Sequence, residues 1–409
     1  MDTIGGSSTD DETDPNTSDE STTTVGTEPS DSTTNEETTT SKEPKGLIDD
    51  FEDLSKWDVK KGRLEPMKED AYEGSQSAAL KRTGPEPVIE RAVDLNAAKA
   101  NLSLAVNLNT EEHAVLDVRL INENQSNEVV LAESVRASTS GFWHRLDMGA
   151  TGVSGLPDLS NVTKIRIRMR GGGDGGSVRI DDLKTVPTPD KGYVAVVFDD
   201  AQESDYTKGF EILKQYDIPA TSAIVTDHVG DDGFLSLDQM KEMKQAGWEM
   251  ASHSATHANL LNASRLEAER EVVNAKEWLV ENGFETGAQN FVYPYGLYDN
   301  NLLSFVEKYH DMGFGFFSTR NAANGYITDP MTISRGDGRH IEKAKSMVDL
   351  AHLYNDLEII TFHGIDRGGK FDVTSDEFAE FAEYLNQANV KPITLSQVKK
   401  KFQKKSQHW

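Results

Sequence analysis

The sequence predicts a chain in three parts: a disordered tail over 1–46, an all-β sandwich over 47–187 and an α/β distorted barrel over 188–409. The first part consists mainly of Ser, Thr, Asp and Glu. The second alternates apolar and polar residues with period two, and the third alternates strand-like apolar runs with helix-like segments. At 409 residues the chain is long enough for two domains with a sizeable core.

The tail contains 12 acidic and 2 basic side chains over 1–46. It cannot bury enough apolar surface to offset the entropy lost on ordering, so we expect it to be disordered. Ser/Thr-rich acidic stretches often connect a surface anchor to an exported domain. We therefore expect an extracellular or surface-tethered protein, with a signal or lipid-anchor segment removed ahead of Asp2. A solvating cytoplasmic tail is the alternative.

Period-two patterns identify the strands of the second part. Apolar residues occupy one face in 102–108, and Ile and Met alternate with Arg in 165–170. Further strand-like runs cover 113–121, 128–135, 142–148 and 177–186. With no long helix among them, these half-buried strands predict an antiparallel sandwich.

The two ends of the sandwich carry a short resemblance. Ile48–Glu52 and Val178–Leu183 resemble the first and last strands of jelly-roll carbohydrate-binding modules. The resemblance implies a structural Ca²⁺ where those strands meet, and solvated strand ends are the alternative. Trp57, Tyr72 and Trp143 could either stack on sugar rings or fill the core.

After a Pro- and Gly-containing linker at 187–192, strands and helices alternate to the end of the chain. Predicted strands cover 193–198, 220–225, 247–252, 290–293, 313–317, 357–362 and 391–394, and predicted helices cover 204–216, 236–246, 263–282, 299–311, 342–355 and 375–388. This alternation predicts a parallel sheet in a closed or distorted barrel, with its chemistry at the carboxyl ends of the strands.

Polar residues stand directly after several of these strands: Asp199, Asp200, His253, Tyr295 and His363. Two imidazoles and a carboxylate can hold a divalent ion, which leaves a second carboxylate to activate water. His253 and His257, four residues apart, would share one face of a helical turn. The absence of cysteine restricts any metal to nitrogen and oxygen ligands. Helix-capping aspartates and solvated histidines are the structural alternatives for each motif alone.

Four motifs in order resemble those of the polysaccharide deacetylase (NodB homology) family, carbohydrate esterase family 4, over 193 to about 400. They are Phe198-Asp199-Asp200, Ser252–His257, Tyr293-Pro294-Tyr295-Gly296 and Ile360–His363. The resemblance implies a NodB-like distorted (β/α) barrel. It also implies metal-dependent hydrolysis of N-acetyl groups on amino-sugar units of a polysaccharide, with release of acetate.

The same resemblance implies a role for each motif residue. Asp199 would be the general base, the backbone N–H of Tyr295 would stabilise the oxyanion, and His363 would protonate the departing amine. The metal, usually Zn²⁺ and sometimes Co²⁺ or another divalent ion, would be bound by Asp200, His253 and His257.

Two departures from the family pattern concern the supporting residues. Val292 stands where many members have the arginine that orients the base. Arg335, at the end of another short apolar stretch, is a candidate replacement, and a surface arginine is the alternative. The aspartate motif that tunes the acid histidine is not recognisable, and Asp337 is a candidate for that role.

Composition limits the partners. A formal charge of −27 argues against nucleic acid, and no run approaches the roughly 20 apolar residues of a transmembrane helix. The acidity also suits high salt, but composition does not fix a halophilic source. We therefore expect an N-acetylated polysaccharide as partner. Two other functions stay open: a glycan-binding surface protein with an inactive barrel, and a metal amidohydrolase acting on a small amide.

Overall fold

The computed structural model describes residues 46–315 and 323–402. The predicted disordered tail lies outside these residues, apart from Gly46, and so does part of the strand predicted over 313–317. The described residues all belong to one compact unit. Among the described helices, none has the length and apolar character needed to cross a membrane.

Two antiparallel sheets make up residues 47–187, which we call the β region. One sheet has the order β9-β6-β12-β4-β3, with β1 beside β12, and the other has the order β10-β8-β7-β11-β5-β2. The strands are β1 (Leu47–Asp49), β2 (Asp58–Lys61), β3 (Arg63–Met67), β4 (Ser77–Lys81), β5 (Val88–Leu95), β6 (Ala100–Asn109), β7 (Ala114–Ile121), β8 (Glu128–Val135), β9 (His144–Met148), β10 (Gly152–Ser154), β11 (Val162–Gly171) and β12 (Ser177–Pro187).

The alternation seen in the sequence explains how these sheets pack. In β11, Ile165, Ile167 and Met169 are fully buried, whereas the arginines between them are partly exposed. The buried faces of both sheets contribute to one hydrophobic cluster. Trp57 belongs to this cluster and stacks on Phe51, with ring centroids 5.5 Å apart, so it fills the core and is not a sugar platform.

Residues 188–402, which we call the α/β region, contain a parallel sheet of order β17-β16-β15-β14-β13-β20. Strands β21 and β19 run parallel to β13 and β20 respectively. The strands are β13 (Tyr193–Phe198), β14 (Thr221–Ile224), β15 (Glu249–Ser252), β16 (Asn290–Val292), β17 (Met312–Phe314), β18 (Ala323–Asn324), β19 (Gly336–Asp337), β20 (Leu357–Phe362) and β21 (Lys391–Ile393).

The helices pack their apolar faces against this sheet. They are α1 (Glu211–Lys214), which continues a π-helical turn over Asp205–Phe210, α2 (Leu237–Gln245), α3 (Arg265–Glu281), α4 (Asn300–Tyr309), α5 (Ile341–Tyr354), α6 (Ser375–Gln387) and α7 (Leu395–Phe402). Ser236, Ser264 and Thr374 begin α2, α3 and α6 with reciprocal capping boxes. The final helix α7 was absent from the predicted elements.

The two regions share hydrogen-bonded strands. Strand β18 pairs antiparallel with β20, and its Asn324 also pairs with Met148 of β9. Leu350 of α5 packs into the hydrophobic cluster of the β region. The predicted boundary between residues 187 and 188 lies in the connection from β12 to β13, but extensive contacts cross it.

Candidate active site and metal centre

The candidate site lies where β13, β15 and β20 end. Strand β13 ends at Phe198, and the backbone then enters left-handed conformations at Asp200 (φ 79°) and Ala201 (φ 56°). In a continuing strand, neighbouring side chains would point to opposite faces. Because the chain turns here, Asp199 and Asp200 can both serve the same site.

The histidine pair lies on a loop after β15, so the predicted helical turn was wrong. Ser254 and His257 have φ values of 64° and 61°, which a right-handed helix does not allow. Local hydrogen bonds hold this shape: the backbone N–H of His257 donates to Ser254 Oγ at 3.0 Å, and Thr256 donates to Glu271 from its N–H and its hydroxyl, both at 2.8 Å.

Both imidazoles converge on Asp200. His257 Nε2 lies 3.3 Å and His253 Nε2 lies 3.6 Å from Asp200 Oδ1. Ligands about 2.1 Å from a tetrahedral Zn²⁺ would be roughly 3.4 Å apart, so these separations fit such an ion. In the described part of the chain, these three residues are the one group of His, Asp or Glu side chains with metal-ligand spacing, all ligand atoms lying within 4.8 Å.

A backbone contact orients His253. Its Nδ1 lies 2.7 Å from the carbonyl oxygen of Val292, which leaves Nε2 facing Asp200. Burial would lower the pKa of His253, but Asp200 and Asp199 together raise it above the usual value. Burial and the neighbouring His253 lower the pKa of His257. Metal binding needs both imidazoles in the neutral form.

A buried arginine holds the other aspartate. Arg335 is fully buried, and its Nη1 and Nη2 donate to the two carboxylate oxygens of Asp199 at 2.7 and 3.0 Å. Its Nε donates to the carbonyl oxygen of Gly315 at 2.9 Å. Burial alone would raise the pKa of Asp199, but Arg335 and His253 bring it below its usual value. Arg335 is therefore a buried cation bonded to Asp199 and not a surface arginine, and its role as the replacement for the arginine missing at position 292 stays a prediction.

Three further residues were predicted for the site: His363, Tyr295 and Asp337. His363 follows β20, is partly buried, and its ring centroid lies 5.4 Å from that of Phe371. Tyr295 adopts φ 58° and ψ 8°, and its ring lies 4.6 Å from that of His257. Asp337 pairs with Arg339 at 2.8 Å. Its suggested role towards His363 stays a prediction.

Comparison with known proteins bears on this arrangement. Residues 187–314 match the family model described as polysaccharide deacetylase. Residues 187–314 are therefore similar to a polysaccharide deacetylase domain, and we call them the deacetylase domain. The match includes Asp199, Asp200 and the histidine pair, but ends before Arg335 and His363.

Two curated relatives of the deacetylase domain are poly-β-1,6-N-acetyl-D-glucosamine N-deacetylases. The one from Staphylococcus aureus (strain MRSA252) is 31% identical over 168 residues, covering 37% of this chain and 57% of the relative. The one from Staphylococcus epidermidis is 29% identical over 137 residues, covering 30% and 47%. The chain thus spans about half the length of the curated relatives it matches.

Similar solved structures include a Streptococcus pyogenes deacetylase in complex with acetate, at 26% identity and a TM-score of 0.31, covering 34% of this chain and 61% of that one. Peptidoglycan deacetylase PdaC from Bacillus subtilis is 20% identical with a TM-score of 0.37, covering 52% of this chain and 92% of that one.

Outside the deacetylase domain, the acids suggested for Ca²⁺ already have protein partners. Asp49 accepts from Phe51 N at 2.7 Å and Trp57 Nε1 at 3.0 Å and pairs with Arg91. Asp181 accepts three backbone N–H groups, and Asp182 pairs with Arg145 and Lys184. These contacts give the calcium site no support, and it stays a prediction.

Sequence reasoning missed the residues that support the site from a distance. Glu271 on α3 holds the histidine loop of the deacetylase domain, and Phe371 lies against His363. Sequence reasoning also missed the contact between Ser334, which directly precedes Arg335, and Glu133 of the β region. No spacing rule connects Glu133 with Ser334, which lies 201 residues further along the chain.

Proposed function

We propose that the protein is a metal-dependent N-deacetylase that removes acetyl groups from amino-sugar units of a polysaccharide. The observation that carries the proposal is the placement of Asp199, held by Arg335, next to the group formed by Asp200, His253 and His257. A carboxylate that could act as a base and three side chains that could bind a metal thus lie near the ends of neighbouring strands, which supports the proposal. The names of the curated relatives and the deacetylase family match support the same activity.

Asp200, His253 and His257 would hold the ion, most plausibly Zn²⁺, with Co²⁺ as another candidate. When bound, such an ion lowers the pKa of water and polarises a carbonyl group. Asp199 would take the proton from the attacking water. Arg335 binds both oxygens of Asp199, which keeps that carboxylate ionised and restricts its orientation.

Cleavage of the C–N bond requires a proton on the nitrogen, since an amide anion is a poor leaving group. His363, at the end of β20, would donate this proton, and the products would be acetate and a free amine. The backbone N–H of Tyr295 would stabilise the developing oxyanion. The left-handed backbone at Tyr295 is consistent with a strained functional turn.

The β region would act as a jelly-roll, carbohydrate-binding-like module that positions the enzyme on polymer. Tyr72 and Trp143 support this proposal: both are partly exposed, and their ring centroids lie 6.0 Å apart. An N-acetylated polymer as substrate fits an extracellular or surface-tethered location. The curated relatives are named for poly-β-1,6-N-acetyl-D-glucosamine.

Acetate release from poly-β-1,6-N-acetyl-D-glucosamine and from N-acetylglucosamine oligomers tests the proposal. We expect activity that a chelator abolishes and Zn²⁺ or Co²⁺ restores. Asp199→Asn should retain the metal but lose 10²–10⁴-fold in kcat, the usual contribution of a general base. Chelator-insensitive activity would contradict the metal mechanism. Glycan binding without acetate release would instead indicate an inactive glycan-binding protein.

A further inference from the structure

We infer that Glu133 of the β region is a positioning residue for the catalytic base Asp199, acting through Ser334 and Arg335. This inference rests on the proposed deacetylase function and deepens it. It assigns to the β region a part in building the active site, in addition to any role in binding polymer.

The connection runs through residues 323–335, which we call the strap. Its middle is bound to the β region at Asp147. The Asp147 carboxylate accepts hydrogen bonds from Thr328 N at 2.5 Å, Thr328 Oγ1 at 2.6 Å and Asp329 N at 3.0 Å. Near the start of the strap, Asn324 pairs with Met148 of β9. The strap therefore contacts the β region near its start, at its middle and, through Ser334, near its end.

The last residue before Arg335 is fixed from two sides. Ser334 Oγ donates to Glu133 Oε1 at 2.6 Å, and the Ser334 carbonyl oxygen accepts from Asn324 Nδ2 at 3.0 Å. Glu133 and Ser334 are each 5% exposed, so water has little access to replace this hydrogen bond. The carbonyl oxygen of Ser334 belongs to the peptide bond that begins Arg335, so the position of Arg335 depends on these contacts.

On its other side the strap is attached to the α/β region. Ile333 N donates to the carbonyl oxygen of Gly313 at 3.0 Å, and Gly315 N donates to the carbonyl oxygen of Ile333 at 2.8 Å. Arg335 is thus the last residue of a segment that is held between the two regions. Removing Glu133 should loosen this segment without releasing it entirely.

Arg335 needs accurate placement because its contact with Asp199 has fork geometry. Both carboxylate oxygens are bound, and Gly315 takes the third guanidinium nitrogen. A displacement of about 1 Å would break at least one of these bonds, and misplacement of that size can cost about 10²-fold in rate. Position 292, a valine, offers no second cation. Glu133 therefore acts at the base without touching substrate.

The test compares Glu133→Ala, Ser334→Ala and Glu133→Gln in the full chain with metal bound. We expect Glu133→Ala and Ser334→Ala to lower kcat by about 10- to 100-fold with KM within about twofold, because the base, not substrate binding, is affected. Glu133→Gln keeps an oxygen acceptor for Ser334 and should restore most of the activity. Bound metal should be unchanged in all three variants.

Glu90→Ala is the matched control. Glu90 is also a buried glutamate of the β region, 7% exposed, and it pairs with Arg166 and Lys164, away from the strap. Its loss should lower the melting temperature with little change in kcat. If Glu133→Ala lowers kcat no more than Glu90→Ala does, the inference is wrong.

Hydrogen exchange provides a readout that does not depend on activity. Peptides within 323–335 should exchange faster in Glu133→Ala and Ser334→Ala than in the wild type and in Glu90→Ala. Unchanged exchange there would overturn the inference even if kcat fell. A wild-type protein without deacetylase activity would overturn the proposed function, and the positioning role with it, while exchange would still show whether Glu133 holds the strap.

Discussion

Two groups of carboxyls, one at the candidate active site and one at the junction between the regions, have pKa values shifted in opposite directions. Burial alone would raise the pKa of Asp199 and Asp200, but Arg335 and His253 bring that of Asp199, and the histidines that of Asp200, below the usual value. At the junction, burial raises the pKa of Glu133 and Asp356 to about 7.

The difference comes from the partners. Asp356 accepts hydrogen bonds from Asn101 Nδ2 at 2.5 Å and Ala150 N at 2.7 Å, and Glu133 accepts one from Ser334, but these donors are neutral. Neutral donors only partly offset the loss of water around a carboxylate, whereas an adjacent cation can reverse it. The site thus keeps its carboxyls ionised, and the junction favours protonated ones.

The largest expected effect comes from removing the cation at the site. Arg335→Ala should lower kcat by about 10²–10⁴-fold, because Asp199 would lose both its orientation and the charge that lowers its pKa. Breaking a buried pair should also cost about 3–5 kcal/mol of unfolding free energy. Steady-state kinetics and urea unfolding measure the two effects.

Arg335→Lys is the control for that experiment. Lysine keeps the charge but cannot bind both oxygens of Asp199 and Gly315 together, so intermediate activity is expected. Equal kcat in the wild type and Arg335→Ala would show that Arg335 is only structural.

An intermediate effect concerns the pH dependence of stability. Burial raises the pKa of Asp356 from its ordinary value of 3.8 to about 7 in the folded state, so the folded state binds the proton more tightly. This contribution to stability is fully present below pH 3.8 and is lost as the pH rises to about 7. In Asp356→Asn, the free energy of unfolding should fall less steeply with pH between pH 4 and 7, by on the order of 1 kcal/mol per pH unit.

The site aspartates should act with the opposite sign. The pKa of Asp199 and of Asp200 is lowered, so their contribution to stability is present above the ordinary value of 3.8 and is lost as the pH falls below it. Thermal unfolding of wild type and Asp356→Asn across pH 3–8 separates the two groups. Parallel curves would show that Asp356 is not protonated in the folded protein.

The smallest expected effect comes from a neutral donor at the junction. Asn101→Ala removes the hydrogen bond to Asp356 and should cost about 1 kcal/mol of unfolding free energy. Because the hydrogen bonds of Ser334 and Arg335 are unchanged, kcat should stay within about twofold of the wild type. A large loss of kcat would show that the whole junction, and not the strap alone, controls the site.

Much of the fold could be predicted from the sequence, because buried parallel strands produce distinct apolar runs. Strand β13 was predicted over 193–198 and observed as Tyr193–Phe198, and β20 was predicted with its observed bounds. The short strand β18, of two residues, has no pattern of its own and forms because both neighbouring sheets offer it hydrogen bonds. The helical turn predicted for His253 and His257 was wrong because spacing alone cannot distinguish a helical turn from a loop with left-handed residues.

The candidate site residues could be predicted from sequence motifs, but the residues that position them could not. Arg335 could be suggested because it stands after a short apolar run, whereas nothing near Glu133 in sequence indicates an approach to Ser334. Such a contact arises only from the packing of two regions, which a single sequence does not encode in any local pattern.

The strap also has a consequence for the order of folding. Arg335 contacts Asp199 across 136 residues, and Ser334 contacts Glu133 across 201 residues. Contacts between residues so distant in the chain close large loops and form slowly. During synthesis the β region emerges first, and the strap can dock only after both regions exist. On refolding, secondary structure should therefore return before catalytic competence, which would be the last property the chain acquires.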